Sequence, residues 1–378
     1  MALIRIAARS LSRNRRRTVL SMGAIALGVA AMVLFEGLVH GQRDMMLGNL
    51  VRGVLGAVQV HRAGYLANVQ GLPLSLDLED SEDLRNRMRE VPGVVEVAPR
   101  ISFGAMFALA DPQRQPGFFI ATAIDPDLER KVTPWRFDWL QAGRFFERSE
   151  RAVLLNAPFA SSMGAAPSAG DPGPEVQWPG LIVTDRDGAP NGEVVALSGT
   201  FALAAPGDKK VGLVPLQVAQ RLLRMEGRVT EYAIGTARLE DAHAVRDRLK
   251  AALGPGFEVH AWDELLPFVK ELVGLQDTFL GVVGMVFLVT VLLGIANSML
   301  TNVLERVREI GTMLAVGMRR RQIVALFLLE AGMLGIAGGL LGALLGAGVV
   351  ALLHQQGIPF EAPGSGVLSV VRPHVPGS

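Results

Sequence analysis

The chain has no cysteine. That excludes disulfides and thiolate metal sites, so any globular part must hold together by its core alone. Charge is also sparse. Asp, Glu, Lys and Arg make up 19% of the 378 residues, against ~25% in soluble domains. The net charge of +1 argues against a nucleic-acid binder. No Gly-Lys dipeptide occurs, which excludes a P-loop and with it an ATPase site in this chain. The six histidines are dispersed and form no H-E-x-x-H, so a zinc peptidase is not indicated. Asp185-x-Asp187-Gly188 lacks the later ligands of a calcium loop and reads as a surface turn. Ala166-Pro167-Ser168-Ala169-Gly170 lacks the first glycine of a nucleophile elbow. No catalytic residue and no metal ligand is therefore assigned.

What the chain does have is apolar length. Three stretches, Val19 to Phe35, Thr278 to Leu304 and Gln322 to Leu353, carry no charge except Glu330. A bilayer core of ~30 Å needs ~20 mostly apolar residues in a helix, and each stretch fits or nearly fits. Their spacing is lopsided: residues 41–276 lie between the first and second, and only a short charged turn lies between the second and third. Arg5, Arg9, Arg13, Arg15, Arg16 and Arg17 precede the first stretch, with no acid before Glu36. Arg306, Arg308, Arg319, Arg320 and Arg321 crowd the short turn. Cytoplasmic flanks collect Lys and Arg, so both clusters belong inside and residues 41–276 outside. The N-terminal apolar run is longer than a signal peptide's and has no small-x-small site after it, which favours an uncleaved anchor.

The expected organisation runs as follows. Residues 1–17 form a basic amphipathic helix, 18–40 the first transmembrane helix and 41–276 an extracytoplasmic α+β domain. Residues 277–304 form the second transmembrane helix, 305–321 a cytoplasmic loop, 322–353 the third transmembrane helix and 354–378 a polar tail. Within the outer domain, Val54 to His61 reads as a strand. Ser81 caps a helix through Val91 that Pro92-Gly93 ends. Val94 to Val97, Ile101 to Ala110 and Phe118 to Ile124 read as strands. A second helix, Asp241 to Leu253, is followed by strand Phe257 to His260. The shared helix, Pro-Gly, strand rhythm suggests two halves of one α/β lobe. The region from about 125 to 215, rich in Gly, Pro and short alternating runs, reads as an inserted β-rich lobe. In it, Leu181 to Thr184 and Glu193 to Leu197 flank a hairpin-like turn, and Ala165 to Pro179 is a loop. Trp135 and Trp139 share one helical face as packing residues. Trp262 to Gln276 has helical spacing and is expected to run unbroken into the second membrane helix as a stalk.

Two features lie within the third stretch. Glu330 is expected to snorkel or pair with a nearby arginine, since a carboxylate at mid-bilayer costs at least ~2.5 kcal/mol. Gly335–Gly339, Gly338–Gly342 and Gly342–Gly346 are each four apart, a spacing that lets helices approach closely. It points to an interface within one subunit or between two.

The short turn reads Val303-Leu304-Glu305-Arg306-Val307-Arg308-Glu309-Ile310-Gly311-Thr312-Met313-Leu314-Ala315-Val316-Gly317-Met318-Arg319. This resembles the E-R-T-R-E-I-G-x-x-x-A-x-G signature of ABC transporter permeases of the FtsX/MacB type, which include lipoprotein-releasing permeases; Val307 replaces the usual Thr. The order of elements matches across nearly the whole chain. The resemblance implies a permease subunit that dimerises with itself or a second permease and binds a separate ABC ATPase, which holds the ATP and Mg. No cofactor is implied in this chain. Glu305, Arg306, Arg308, Glu309, Ile310, Gly311, Ala315, Gly317 and Arg319 would form the coupling loop on that ATPase. The outer domain would consist of a porter-like α/β lobe with an inserted β-rich lobe and leave room for a periplasmic partner. The location would be the bacterial inner membrane, among its lipids. The implied work is extraction or export of lipoprotein, peptide or other hydrophobic cargo by mechanotransmission. The alternatives are a mechanotransmitter that regulates a periplasmic cell-wall hydrolase and an anchored sensor with no ATPase. The family usually has four membrane helices; three are visible here and the expected fourth is missing, which reads as truncation, a helix supplied from elsewhere or a degenerate copy.

Overall fold

The computed structural model describes residues 15–109, 114–167, 180–203, 210–361 and 368–374. The chain divides into two compact units. A helical unit comprises Met1–Met45, Glu271–Phe360 and Val370–Ser378, and a sheet unit comprises Met46–Lys270 and Glu361–Ser369.

In chain order the helices are α1 (Arg15–Leu50), α2 (Glu82–Arg89), α3 (Pro126–Val132), α4 (Ala157–Met163), α5 (Leu216–Leu222), α6 (Ala242–Leu253), α7 (Trp262–Leu265), α8 (Pro267–Glu305), α9 (Val307–Ala315) and α10 (Arg320–Gln356). A π-helical turn, Val51–Leu55, follows α1. The strands are β1 (Val58–Arg62), β2 (Leu78–Glu79), β3 (Val94–Ala108), β4 (Gly117–Ile124), β5 (Leu140–Gly143), β6 (Ala152–Asn156), β7 (Gly180–Thr184), β8 (Pro190–Val194), β9 (Ala196–Phe201), β10 (Val211–Pro215), β11 (Arg228–Val229), β12 (Glu231–Thr236), β13 (Phe257–Ala261), β14 (Ile358–Glu361) and β15 (Leu368–Val371).

The sheet unit is built on one 11-stranded sheet of order β13-β1-β12-β3-β4-β10-β6-β9-β5, with β7 on the far part of β3 and β8 on β7. Most pairs are antiparallel; β10 with β4 and β6 with β9 are parallel. Alternation along β3 buries Ile101, Phe103, Ala105 and Phe107, as period-2 geometry requires. Helices α2 and α6 cover this core with Leu84, Met88, Val245, Leu249 and Leu253. The Ser81 hydroxyl accepts from the Leu84 amide at the start of α2, the cap expected from the sequence. The two helix-plus-strand halves do meet, and Arg87 donates to the carbonyl of Ala252 at 3.0 Å.

Residues 125–215 are joined to the rest of the outer domain through a shared sheet. Their strands continue the same sheet because β10 adds in parallel to β4, and helices α3 and α4 lie among them. They do carry a second, smaller core cluster of Trp139, Phe146, Ala152, Leu154, Phe201 and Leu213 with Ile124. Several expectations need correction. Val54 to His61 is not one strand: the π turn occupies Val51–Leu55, Gly56 turns at φ 84°, and β1 starts at Val58. The two strands expected at 94–97 and 101–110 are one. Pro99 is tolerated because it faces Tyr232 on β12 beyond the end of β4, whose last residue, Ile124, pairs with Arg100. The run Glu193 to Leu197 is split, since β8 ends at Val194 and β9 starts at Ala196. Its hairpin is β7–β8, and the Asp185 carboxylate accepts from the amides of Asp187 and Ala189 at its turn. The stalk is broken as well. Leu266 leaves the helical region (φ −129°, ψ 76°) and Pro267 opens α8. A residue before proline is pushed away from helix, and proline fits at a first helical position.

In the helical unit, α1, α8 and α10 are each long and apolar enough to cross a membrane. The tail expected from residue 354 is partly structured. β14 and β15 pair, and the Pro373 carbonyl lies 3.0 Å from His354 Nδ1. Gly41 of α1 sits against the Arg372 carbonyl, where a Cβ would come within 2.7 Å. The amphipathic helix expected over 1–17 lies largely outside the described residues, as does most of the loop at 165–179.

Candidate functional site

The short turn is itself helical. α8 ends at Glu305, Arg306 turns the chain (φ −107°, ψ 17°), and α9 follows. Gly317 then adopts φ 96°, a conformation open to glycine without strain, and its amide donates to the Leu314 carbonyl at 3.0 Å. The Arg319 amide donates to Gln322 Oε1 at 2.9 Å, which caps the start of α10.

A polar network ties this turn to the two long helices beside it. Glu330, seven residues past Ile323 on α10, is fully buried. Its Oε1 lies 3.3 Å from Arg306 Nη1, and its Oε2 accepts from Asn302 Nδ2 of α8 at 3.3 Å. Arg306 Nε in turn donates to Glu309 Oε2 of α9 at 2.6 Å. One guanidinium thus joins a buried carboxylate of α10 to a half-exposed carboxylate of α9. The pairing satisfies a charge that would be costly alone in an apolar setting.

Of the residues singled out from the sequence, Arg306 and Glu309 enter this network. Ile310 is partly buried on α9. Glu305, Arg308, Gly311, Ala315, Gly317 and Arg319 are exposed. Exposed beside them are the apolar side chains of Val307, Leu314 and Val316, the last at 87%. A short helix that shows both arginine and aliphatic side chains to its surroundings can dock on a protein partner. Asn302 was not singled out, and a lone Asn near the end of an apolar stretch gives no signal of its own.

The glycines of α10 divide by face. A Cβ at Gly342 would lie 2.5 Å from the Ala26 carbonyl oxygen of α1. One at Gly338 would lie 2.9 Å from Ile25 Cβ, and one at Gly346 2.8 Å from Val33 Cβ. These three form the contact between α10 and α1 within one chain. Gly335 has only Ile295 Cδ1 at 3.8 Å, and a Cβ at Gly339 would meet nothing within 4 Å. The opposite flank of α1 meets α8, where Gly28 faces Val291 and Ser21 Oγ lies 2.7 Å from Ser298 Oγ.

Comparison with known proteins places these features. A family model described as MacB-like periplasmic core domain matches residues 18–252, and one described as FtsX-like permease C-terminal matches 281–371. The macrolide export ATP-binding/permease protein MacB of Rhodospirillum rubrum is 27% identical over 97% of this chain and 55% of its own length. MacB of Bdellovibrio bacteriovorus is 27% identical over 92% of this chain and 53% of its own. An uncharacterized ABC transporter permease of Methanocaldococcus jannaschii is 30% identical over 38% of this chain and 39% of its own. The chain spans about half the length of the MacB relatives it matches. Among solved structures, the periplasmic region of MacB from Actinobacillus actinomycetemcomitans aligns with 57% of this chain and 94% of its own, at 12% identity and a TM-score of 0.36.

Proposed function

Because this chain belongs to the FtsX/MacB family of ABC transporter permeases, an inner-membrane family with a periplasmic core domain, we propose that it couples ATP hydrolysis on a separate ATPase to work at the outer face of the membrane. α9 is the docking element for that ATPase, which binds the ATP and Mg. The N-terminus is cytoplasmic. The work is extraction or export of lipoprotein, peptide or another hydrophobic cargo. The permease acts as a dimer with itself or a second permease.

One observation carries this reading: α9 and the turn after it show exposed Val307, Leu314 and Val316 beside Arg308 and Arg319, while Arg306 braces α9 against α10 through Glu309 and Glu330. A helix held in this way moves α8 and α10 when it is pushed, rather than swinging free on a loop. Motion set by the nucleotide cycle then passes along the long helices.

The test is a pulldown of the full chain from membranes, with and without Glu305–Arg319. Capture of an ABC ATPase that disappears on deletion supports the reading. An ATPase still captured after deletion moves the docking surface elsewhere. A cell-wall hydrolase captured in place of cargo favours the regulator alternative.

A further inference from the structure

Four buried ionisable groups of the sheet unit play no part in the docking turn: Arg100, Glu129, Arg136 and Glu231. They come from four elements, β3, α3, the turn at Pro134–Trp139 and β12. Glu129 is wholly buried and accepts from Arg100 Nε at 2.5 Å and Nη2 at 2.9 Å, and from the Thr133 hydroxyl. Arg136 Nη1 lies 3.9 Å from Glu129 Oε2, and Arg100 Nη1 lies 3.9 Å from Glu231 Oε1.

Three of the other guanidinium nitrogens, Arg100 Nη1 and Arg136 Nε and Nη2, donate to one place. Arg100 Nη1 donates to the carbonyls of Val54 at 2.8 Å and Leu55 at 3.1 Å. Arg136 Nε donates to Gly53 at 2.9 Å and Nη2 to Val54 at 2.6 Å. Gly53, Val54 and Leu55 belong to the π turn that continues α1. The last carbonyls of a helix have no partners within it and carry partial negative charge. Here two buried cations supply the partners. Two tryptophans fit against the same segment: a Cβ at Gly48 would strike the ring of Trp135, and one at Gly53 the ring of Trp139. Arg52 lies over Trp135, 5.7 Å from the ring centroid.

We infer that Arg100, Glu129 and Arg136 form a force-bearing joint that fixes the axial position and rotation of the end of α1 in the sheet unit. Apolar contacts alone permit sliding, since they are non-directional. Directed bonds from two rigid guanidinium forks to three consecutive carbonyls do not. The functional value of the joint rests on the proposed transfer of motion, but its existence is tested without any ATPase.

The test is hydrogen exchange on the full chain in nanodiscs, comparing residues 46–56 with β3 and β12. Arg136→Met is the first variant. Arg100→Met/Glu129→Met/Arg136→Met is the second, because apolar replacement of a whole buried ionic group commonly leaves a fold intact. The expected result is at least a tenfold faster exchange in 46–56 in both variants, with β3 and β12 unchanged. Unchanged exchange in 46–56, or an equal rise across the sheet in the triple variant, overturns the joint. Either failure leaves the α9 pulldown unaffected, and loss of ATPase capture there leaves the joint standing.

Discussion

Glu330 Oε1 and Arg306 Nη1 lie 3.3 Å apart, with the carboxylate fully buried on α10 and the guanidinium at the mouth of the turn. Removing one member of such a pair strands the other. Glu330→Ala is expected to destabilise the helical unit by about 3 kcal/mol. Glu330→Gln keeps one carbonyl acceptor for Arg306 or Asn302 and the same side-chain volume, and is expected to lose less, about 1–2 kcal/mol. Denaturant titration of the purified chain in mild detergent separates the two. Equal losses would mean that the charge, rather than the remaining hydrogen-bonding groups, carries the whole effect.

The glycines of α10 offer a contrast within one helix. Gly342→Ala places a methyl 2.5 Å from the Ala26 carbonyl oxygen, and overpacking of this kind is expected to cost about 1–3 kcal/mol. Gly339→Ala meets nothing and is expected to be neutral or slightly stabilising. Because the chain has no cysteine, single cysteines placed on α1 and α10 report their approach by crosslinking. The Gly342 variant should lower that yield and the Gly339 variant should not.

Ser81→Ala removes the hydroxyl that accepts the Leu84 amide. The expected loss is about 1 kcal/mol, read as a lower unfolding midpoint of the sheet unit. Restoration by Ser81→Asp checks that the cap is responsible.

Acid should weaken the sheet unit in two steps. His61 is buried, stacked on Tyr65 at 4.4 Å, and burial holds its pKa below the usual 6.5. The unfolded chain therefore binds a proton that the folded chain resists, so stability falls as pH drops through 6.5, by at most ~1.4 kcal/mol per pH unit for one group. Burial alone would raise Glu129, but the charges of Arg100 and Arg136 and its hydrogen bonds hold it below 4.5. Its contribution is present above 4.5 and is lost as pH falls further. Melting temperatures from pH 8 down to about 2 should show both slopes, and His61→Gln should flatten only the first. Burial also pulls Arg136 down, to about 10, which leaves it charged throughout this range.

Much of this was legible in the residues because the signals are local. Ser81, Pro92-Gly93 and Gly254 mark helix ends that the structure keeps. Apolar length alone located the three long helices, and Gly317 sits where the turn needs its φ of 96°. Signals that depend on distant partners were not legible. Four-residue spacing allowed several glycine registers, and only the face toward α1 selects Gly338, Gly342 and Gly346. The break at Leu266 carries no signal in the helical spacing of 262–276, because proline near a helix start is compatible both with a continuous helix and with a new one opening at Pro267. The parallel addition of β10 to β4 depends on pairing across some ninety positions of sequence, which composition does not encode. Buried Arg100 and Arg136 look like surface charges until the helix end they face is in place.

Helix α8 is much longer than a membrane crossing needs. At ~1.5 Å per residue, the 39 residues of α8 form a rod of about 58 Å, roughly twice the ~30 Å that hydrocarbon demands. Nearly half of it is surplus to crossing and must stand in water or among headgroups. The helix is unbroken from Pro267 to Glu305, so its length is carried by one continuous run of backbone hydrogen bonds.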